Sequence, residues 1–212
     1  MIIAIDGTTA SGKGTIAKRL AAHYGLPHMD TGRLYRATAV AALKAGVALD
    51  DETRLADVAA SLDLNDFDEA ELRTADAGKA ASKVSALPKV RQALFELQRA
   101  FATQSGGALL DGRDIGTVIA PDADVKLWVD AAVAQRGQRR WKELSGYGED
   151  VTLEQVIQQL RERDQRDQNR ADAPAKMAAD AVLIDTTDLT IEAAVEKALA
   201  AVEAALARGN RT

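Results

Sequence analysis

The sequence predicts an α/β fold: a doubly wound parallel sheet of about five strands, flanked by helices. Three observations predict it. Short apolar runs alternate with segments of helical period along the chain. A glycine-rich run joins the first apolar run to the first helical segment. Polar and charged residues gather just past the ends of the apolar runs, where open α/β sheets bind ligands. A chain of 212 residues can bury a full core, and 1–212 is read as one domain with small insertions.

The elements follow in order. Ile2 to Ile5 is the first strand, and Lys13 to Tyr24 the first helix, with Gly25 as its stop. Leu26 to Met29 is a short second strand. Thr31 is placed to cap a helix from Gly32 to Ala45 that Gly46 ends. Asp51 to Leu62 has an amphipathic pattern, whereas Asn65 to Ala75 is acidic, weakly patterned and reads as a loop or small irregular insertion. Alanine-rich helices follow from Asp76 to Ser85 and, after Pro88, from Val90 to Gln104. Gly107 to Leu110, Val125 to Val129 and Val182 to Ile184 are the remaining strands. Gln135 to Arg170 is charged and helical, broken at Ser145-Gly146-Tyr147-Gly148. Ile191 to Leu206 is the closing helix, and Arg208 to Thr212 is expected to fray.

Composition narrows the function classes. The net charge of -5 argues against a general nucleic-acid binder. The absence of cysteine removes disulfides, zinc-thiolate sites and thiol chemistry. The first residues read as a strand entering a loop rather than a signal peptide, and no apolar run is long enough to span a bilayer. A cytoplasmic protein without a membrane partner is expected.

The run Gly7-Thr8-Thr9-Ala10-Ser11-Gly12-Lys13-Gly14-Thr15 lies between a strand and a helix. In that context backbone N–H groups converge on one concavity and the helix dipole adds positive potential, which is how a P-loop cradles nucleotide phosphates. Lys13 can reach the outer phosphates. Gly14 occupies the usual hydroxyl position, so Thr15 is expected either to take the magnesium side or to cap the phosphates. Asp30-Thr31-Gly32-Arg33-Leu34-Tyr35-Arg36 follows the second strand, and Arg36 fits either an anion holder or a solvated arginine. Asp111-Gly112-Arg113-Asp114-Ile115-Gly116-Thr117 follows the third. There Asp111 can orient magnesium-bound water, Arg113 offers a planar fork to phosphate, and Asp114 offers acceptors to a base amino group. Arg163, Asp167 and Arg170 share one helical face. Arg136, Arg139 and Arg140 form a smaller basic cluster that is either exposed or folded over phosphates.

Taken together, these segments resemble the bacterial cytidylate kinases, among the nucleoside monophosphate kinases. The resemblance spans nearly the whole chain. It rests on the Gly7-to-Thr15 loop, Asp30-Thr31-Gly32 with Tyr35-Arg36, Ala80-Ala81-Ser82 and Pro88-Lys89-Val90-Arg91. It also rests on Asp111 through Val118, and on Arg163-Asp164, Arg166-Asp167 and Asn169-Arg170. It implies transfer of the ATP γ-phosphoryl group to CMP or dCMP, with Mg2+. It further implies that Ser82, Arg91 and Asp114 read cytosine and that Arg36, Arg113 and Arg170 hold the acceptor phosphate. Arg163 and Asp167 would meet the sugar, with Thr31 beside base and sugar. An acceptor-binding insertion at roughly 32–106, a lid at roughly 142–156 and a monomeric state belong to the same expectation. Two departures stand out. Thr8-Thr9 occupies the place of Pro-Ser or Pro-Ala in relatives, and residues 63–77 are short for the β-rich insertion that many relatives carry.

Phosphoryl transfer to a phosphate needs positioning and charge stabilisation more than proton chemistry, so no general base is expected. Arg139 or Arg140 would stabilise the transition state on closure, and Lys13→Ala should cut turnover severely with little loss of fold. Three other readings compete. A kinase for AMP, dTMP or shikimate is separated by an acceptor panel. A GTP switch would want an Asn-Lys-x-Asp run, which is absent. A nucleic-acid ATPase would bind oligonucleotides in a salt-sensitive way.

Overall fold

A computed structural model describes residues 1–209. Its five strands are β1 (Ile2–Gly7), β2 (His28–Asp30), β3 (Ala108–Gly112), β4 (Val125–Asp130) and β5 (Val182–Asp185). They form one parallel sheet in the order β2-β3-β1-β4-β5. Strand β1 sits in the middle, with Ile3 opposite Leu109 on one side and Val125 on the other. Ile3, Ala4 and Ile5 are fully buried, as expected of a parallel strand covered on both faces. All five strands point the same way, so Gly7, Asp30, Gly112, Asp130 and Asp185 end on one edge.

Helix α1 (Lys13–Tyr24) and the closing helix α9 (Ile191–Gly209) cover one face. Gly12 and Gly25 bracket α1 in left-handed conformations, with φ of 91° and 63°, and the Gly25 N–H donates to the Ala21 carbonyl. Helix α9 reaches two residues into the stretch expected to fray; the rest of that stretch, 210–212, lies outside the described residues. On the other face, α6 (Pro88–Ala102) and the π-helical turn Ile115–Ile119 pack on β1 and β3.

Helices α2 (Thr31–Lys44), α3 (Glu52–Ala60) and α5 (Ala75–Val84) join α6 around a second apolar cluster centred on Leu34, Leu55, Val84 and Leu94. The cap of α2 is Asp30, which accepts from the Arg33 N–H at 3.3 Å, rather than Thr31. The Thr31 hydroxyl instead donates to the Asp111 carbonyl across the sheet at 2.9 Å. Residues 63–77 hold a 3-10 turn at Leu64–Asp66, the single-turn helix α4 (Glu69–Leu72) and the start of α5, with no strand there.

Helices α7 (Val133–Gly146) and α8 (Leu153–Asn169) form a hairpin beside the sheet's carboxyl edge. The Thr152–Gln155 capping box starts α8, and Gly148 (φ 78°) turns the chain between them. Their apolar seam of Leu144, Val156 and Leu160 packs on Ala75 of α5. Among the described residues no helix is long and apolar enough to cross a membrane.

Candidate active site

The carboxyl edge of the sheet opens into a cavity of about 390 Å³ lined by the Thr8-to-Thr15 loop, the ends of β2 and β3, and α2, α7 and α8. Its floor is the glycine-rich loop. Gly7 (φ 151°) lies so close to β4 that a Cβ there would sit 1.9 Å from the Val129 carbonyl oxygen. That contact fixes where the loop leaves the sheet. The Thr8 hydroxyl donates to Asp130 Oδ1 at 2.6 Å, and the buried Ser11 hydroxyl donates to the Thr8 carbonyl at 2.9 Å. The N–H groups of Ala10 through Gly14 have no backbone acceptor among the described residues. Free donors at a helix N-terminus make an anion cradle.

Lys13 crosses the cavity to the end of β3, its Nζ donating to Asp111 Oδ2 at 2.6 Å. His28 Nε2 lies 2.7 Å from the other Asp111 oxygen. Burial alone would raise the Asp111 pKa, but Lys13 and His28 together hold the carboxyl well below the usual carboxylate range. The Thr15 side chain is exposed on the cavity wall. Among the described residues no cluster of three or more His, Asp, Glu or Cys is arranged to hold a metal. One hydroxyl and one carboxylate are hard oxygen donors, which fits a magnesium ion held largely by nucleotide phosphates and water.

Across from the loop stands a set of guanidiniums. Arg36 pairs with Asp30 at 2.7 Å. Arg113 donates to Asp167 Oδ2 at 3.1 Å and to the Thr9 hydroxyl. Arg163 reaches only to 3.8 Å from Asp167. Burial, with repulsion from Arg113, Arg36 and Arg140, pushes the Arg163 pKa down to about 10 against the pull of Asp167. The Nε atoms of Arg36 and Arg163 are buried and lack a hydrogen-bond partner. Two unsatisfied cationic donors on a cavity wall mark a seat for an anion.

Deeper in, Asp114 takes Arg91 on one oxygen and Arg170 on the other, the latter at 3.1 Å. Arg91 also donates to Asp172 at 3.1 Å and to the Tyr35 hydroxyl at 3.3 Å. Burial lowers the pKa of both arginines. For Arg91 the neighbouring Tyr35 and Asp114 outweigh burial and the net shift is upward; for Arg170 burial prevails and the shift is downward. Burial raises the Tyr35 pKa.

The cavity thus gathers most of the residues singled out in the sequence: the loop from Thr8 to Thr15, Thr31, Arg36, Arg91, Asp111, Arg113, Asp114, Arg140, Arg163, Asp167 and Arg170. Two stand off it. Ser82 is buried, its hydroxyl accepting from Arg166 Nε at 3.2 Å behind the wall. Arg139 is spent beneath the loop, on the Ser11 carbonyl at 3.3 Å and on the hydroxyl and carbonyl of Thr186 at 3.0 and 2.7 Å. Arg136, by contrast with an exposed cluster, is buried on the Thr9 carbonyl and Asp164. Of the arginines on α7, Arg140 alone lines the cavity, anchored to Glu143 and the Arg73 carbonyl. His28 and Asp172 carry no sequence signal of their own, and Tyr35 stands out only as part of the Tyr35-Arg36 motif, without a role. His28 lies within a short apolar strand and Tyr35 within a helical pattern, and Asp172 follows the charged run without spacing that ties it to Arg91.

The family model for cytidylate kinase matches residues 3–204. The chain belongs to the cytidylate kinase family. A cytidylate kinase from Methylocella silvestris is 58% identical over 205 residues, covering 97% of this chain and 95% of that one. Another cytidylate kinase, from Bradyrhizobium sp. (strain ORS 278), is 56% identical over the full length of both. A gluconokinase from Sinorhizobium meliloti 1021 shares the fold at 15% identity, with a TM-score of 0.53 over 99% of this chain and 95% of its own. In this cytidylate kinase-family chain the phosphate loop and the Asp114 cluster open into one cavity.

Proposed function

We propose that this protein transfers the γ-phosphoryl group of ATP to CMP or dCMP, giving ADP and CDP or dCDP in pyrimidine nucleotide metabolism. One observation carries the proposal. A carboxylate held between two arginines, Asp114, shares a cavity with a phosphate loop. Cytosine presents an amino donor beside ring and carbonyl acceptors, and a carboxylate next to guanidiniums matches that pattern. Uracil would turn a carbonyl toward Asp114, which repels it.

The donor triphosphate lies on the free N–H groups of the loop, with Lys13 moving from Asp111 to the outer phosphates. Magnesium, when bound with ATP, supplies charge neutralisation between those phosphates; Thr15 and Asp111, the latter through water, would hold it. The acceptor phosphate meets Arg36, Arg113 and Arg170, and the unsatisfied Nε atoms of Arg36 and Arg163 offer it further donors. It is already an oxygen nucleophile near neutral pH, so no side chain needs to remove a proton. Removing one positioning arginine should cost roughly 2–4 kcal/mol of transition-state stabilisation. Arg140 is the guanidinium on α7 placed to meet the transferred group. Arg139 instead steadies the loop from below, and Ser82 acts on the base through its neighbours. Residues 32–106 form the acceptor-binding insertion, and 142–156 the lid that excludes water. The working protein is a cytoplasmic monomer that binds these small molecules and neither nucleic acid nor membrane.

An acceptor panel tests the reading. With ATP and magnesium, CMP and dCMP should yield diphosphate at rates far above UMP, AMP and dTMP, and Asp114→Ala should erase the preference of CMP over UMP. Equal turnover of CMP and UMP by the unmodified protein would overturn it.

A further inference from the structure

Asp6 has no part in the proposed transfer, yet it is a buried carboxylate that ties the end of β1 to the turn carrying Asp114. It stands at the end of β1, one residue before the phosphate loop, and is 4% exposed. Its two oxygens accept from consecutive backbone N–H groups, Ile115 and Gly116, at 2.8 Å each. Those residues open the π-helical turn Ile115–Ile119, directly after Asp114. From the other side, the Asp114 carbonyl accepts from the Val118 and Ile119 N–H groups at 2.9 and 3.2 Å. The Asp114 backbone is therefore fixed by its own turn and by a carboxylate 108 positions earlier in the chain. The Ile115 side chain, 1% exposed, is packed among Ala4 and Leu110 and adds a third fixed point. Single π-turns are rare and recur at functional sites.

We infer that Asp6 is a positioning residue for base selection: by clamping the first two N–H groups of the turn, it aims the Asp114 carboxylate at the acceptor base. The inference rests on the proposed role of Asp114. Asp6 does not line the cavity. A 1 Å displacement of a reading group is enough to lose selectivity, because an acceptor that misses its donor is left unpaired. Asn at position 6 keeps one carbonyl oxygen for one N–H and sets an NH2 group against the other, so the clamp is half broken without loss of volume. The effect should fall on the acceptor side, since the loop's own anchors, Thr8 on Asp130 and Gly7 on β4, do not involve the Asp6 side chain.

The test is a double-mutant cycle read by steady-state kinetics on the full chain with CMP, UMP and ATP-magnesium. Asp6→Asn should raise KM for CMP and lower the CMP-over-UMP preference by about tenfold or more, the scale of one unmade buried hydrogen bond, while KM for ATP moves less than about twofold. In an Asp114→Asn background the same change should alter the preference less than about twofold, because the two residues act on one contact. A role in stability alone predicts independent effects and an intact preference, and either result overturns the inference. If Asp6→Asn does not fold by circular dichroism, Asp6→Glu keeps both oxygens one methylene further out. A lowered CMP preference in that variant supports the clamp, and an unchanged one overturns it. No CMP preference in the unmodified protein overturns the base-reading scheme and this inference together. A preference abolished by Asp114→Asn but untouched by Asp6→Asn overturns this inference alone.

Discussion

Lys13 and Asp111 answer to each other before they answer to any ligand. Their ion pair spans 98 positions at 2.6 Å, with Asp111 1% exposed and the lysine side chain 12%. The sequence assigned Lys13 to the loop and Asp111 to the end of a strand with no hint that they meet, so Lys13→Ala reads from the sequence as a change with little loss of fold. The structure makes it costly. Truncation leaves a buried carboxylate with His28 as its one remaining side-chain partner, and breaking a buried pair from one side costs about 3–5 kcal/mol. Lys13→Ala should therefore lose both turnover and thermal stability. Adding Asp111→Asn should recover much of the stability and none of the turnover. Melting curves of the single and double variants check this, and equal melting temperatures for Lys13→Ala and the unmodified protein would contradict it.

At the scale of elements, the loop's glycines are not interchangeable. Gly7 is held at φ 151° with its open side against the Val129 carbonyl. Gly14 lies in the first turn of α1, where a Cβ would point into open space. Gly7→Ala should thus separate β1 from β4 at the mouth of the site and cost about 3 kcal/mol or more. Gly14→Ala should be neutral or stabilising by up to about 1 kcal/mol, since alanine favours helix. Urea unfolding of the two variants separates them. The local pattern foretold both helix stops and the loop, because those depend on adjacent residues. It misplaced the cap of α2 because Thr31 and Asp30 both suit an N-cap. The choice fell to Asp30 once Thr31 found the Asp111 carbonyl on a neighbouring strand.

Across the whole molecule, two buried carboxylates near the site respond oppositely to pH. Burial raises the Asp6 pKa from 3.8 to about 7, only partly offset by its two N–H donors, with Asp114 and Lys13 the charges facing it. The folded protein then holds this proton over a range where the unfolded chain has released it. The Asp6 contribution to stability is full below 3.8, declines as pH rises and levels off above about 7. Asp111 is shifted down despite its burial, so its contribution is present above 3.8 and is lost as pH falls below that value. Asp6→Asn should therefore flatten the melting temperature between pH 4 and 7 relative to the unmodified protein and leave the acid limb below pH 4 in place. Parallel curves for the two proteins across pH 4 to 7 would contradict the assignment.

By itself the sequence determined the parallel sheet, the order of its strands and helices along the chain, the phosphate loop and the family. Those properties come from periodicity, caps and short runs, all carried by residues close together in the chain. Only the tertiary structure decided which arginines are free to meet a substrate and which are already engaged. Arg139 and Arg140 are neighbours in one helix, yet one is bound under the loop to Thr186 and the other faces the cavity. The reason is that a guanidinium's task is set by the acceptors that surround it. Here those acceptors, Asp167, Asp172, Thr186 and the Ser11 carbonyl, come from segments that folding alone brings together.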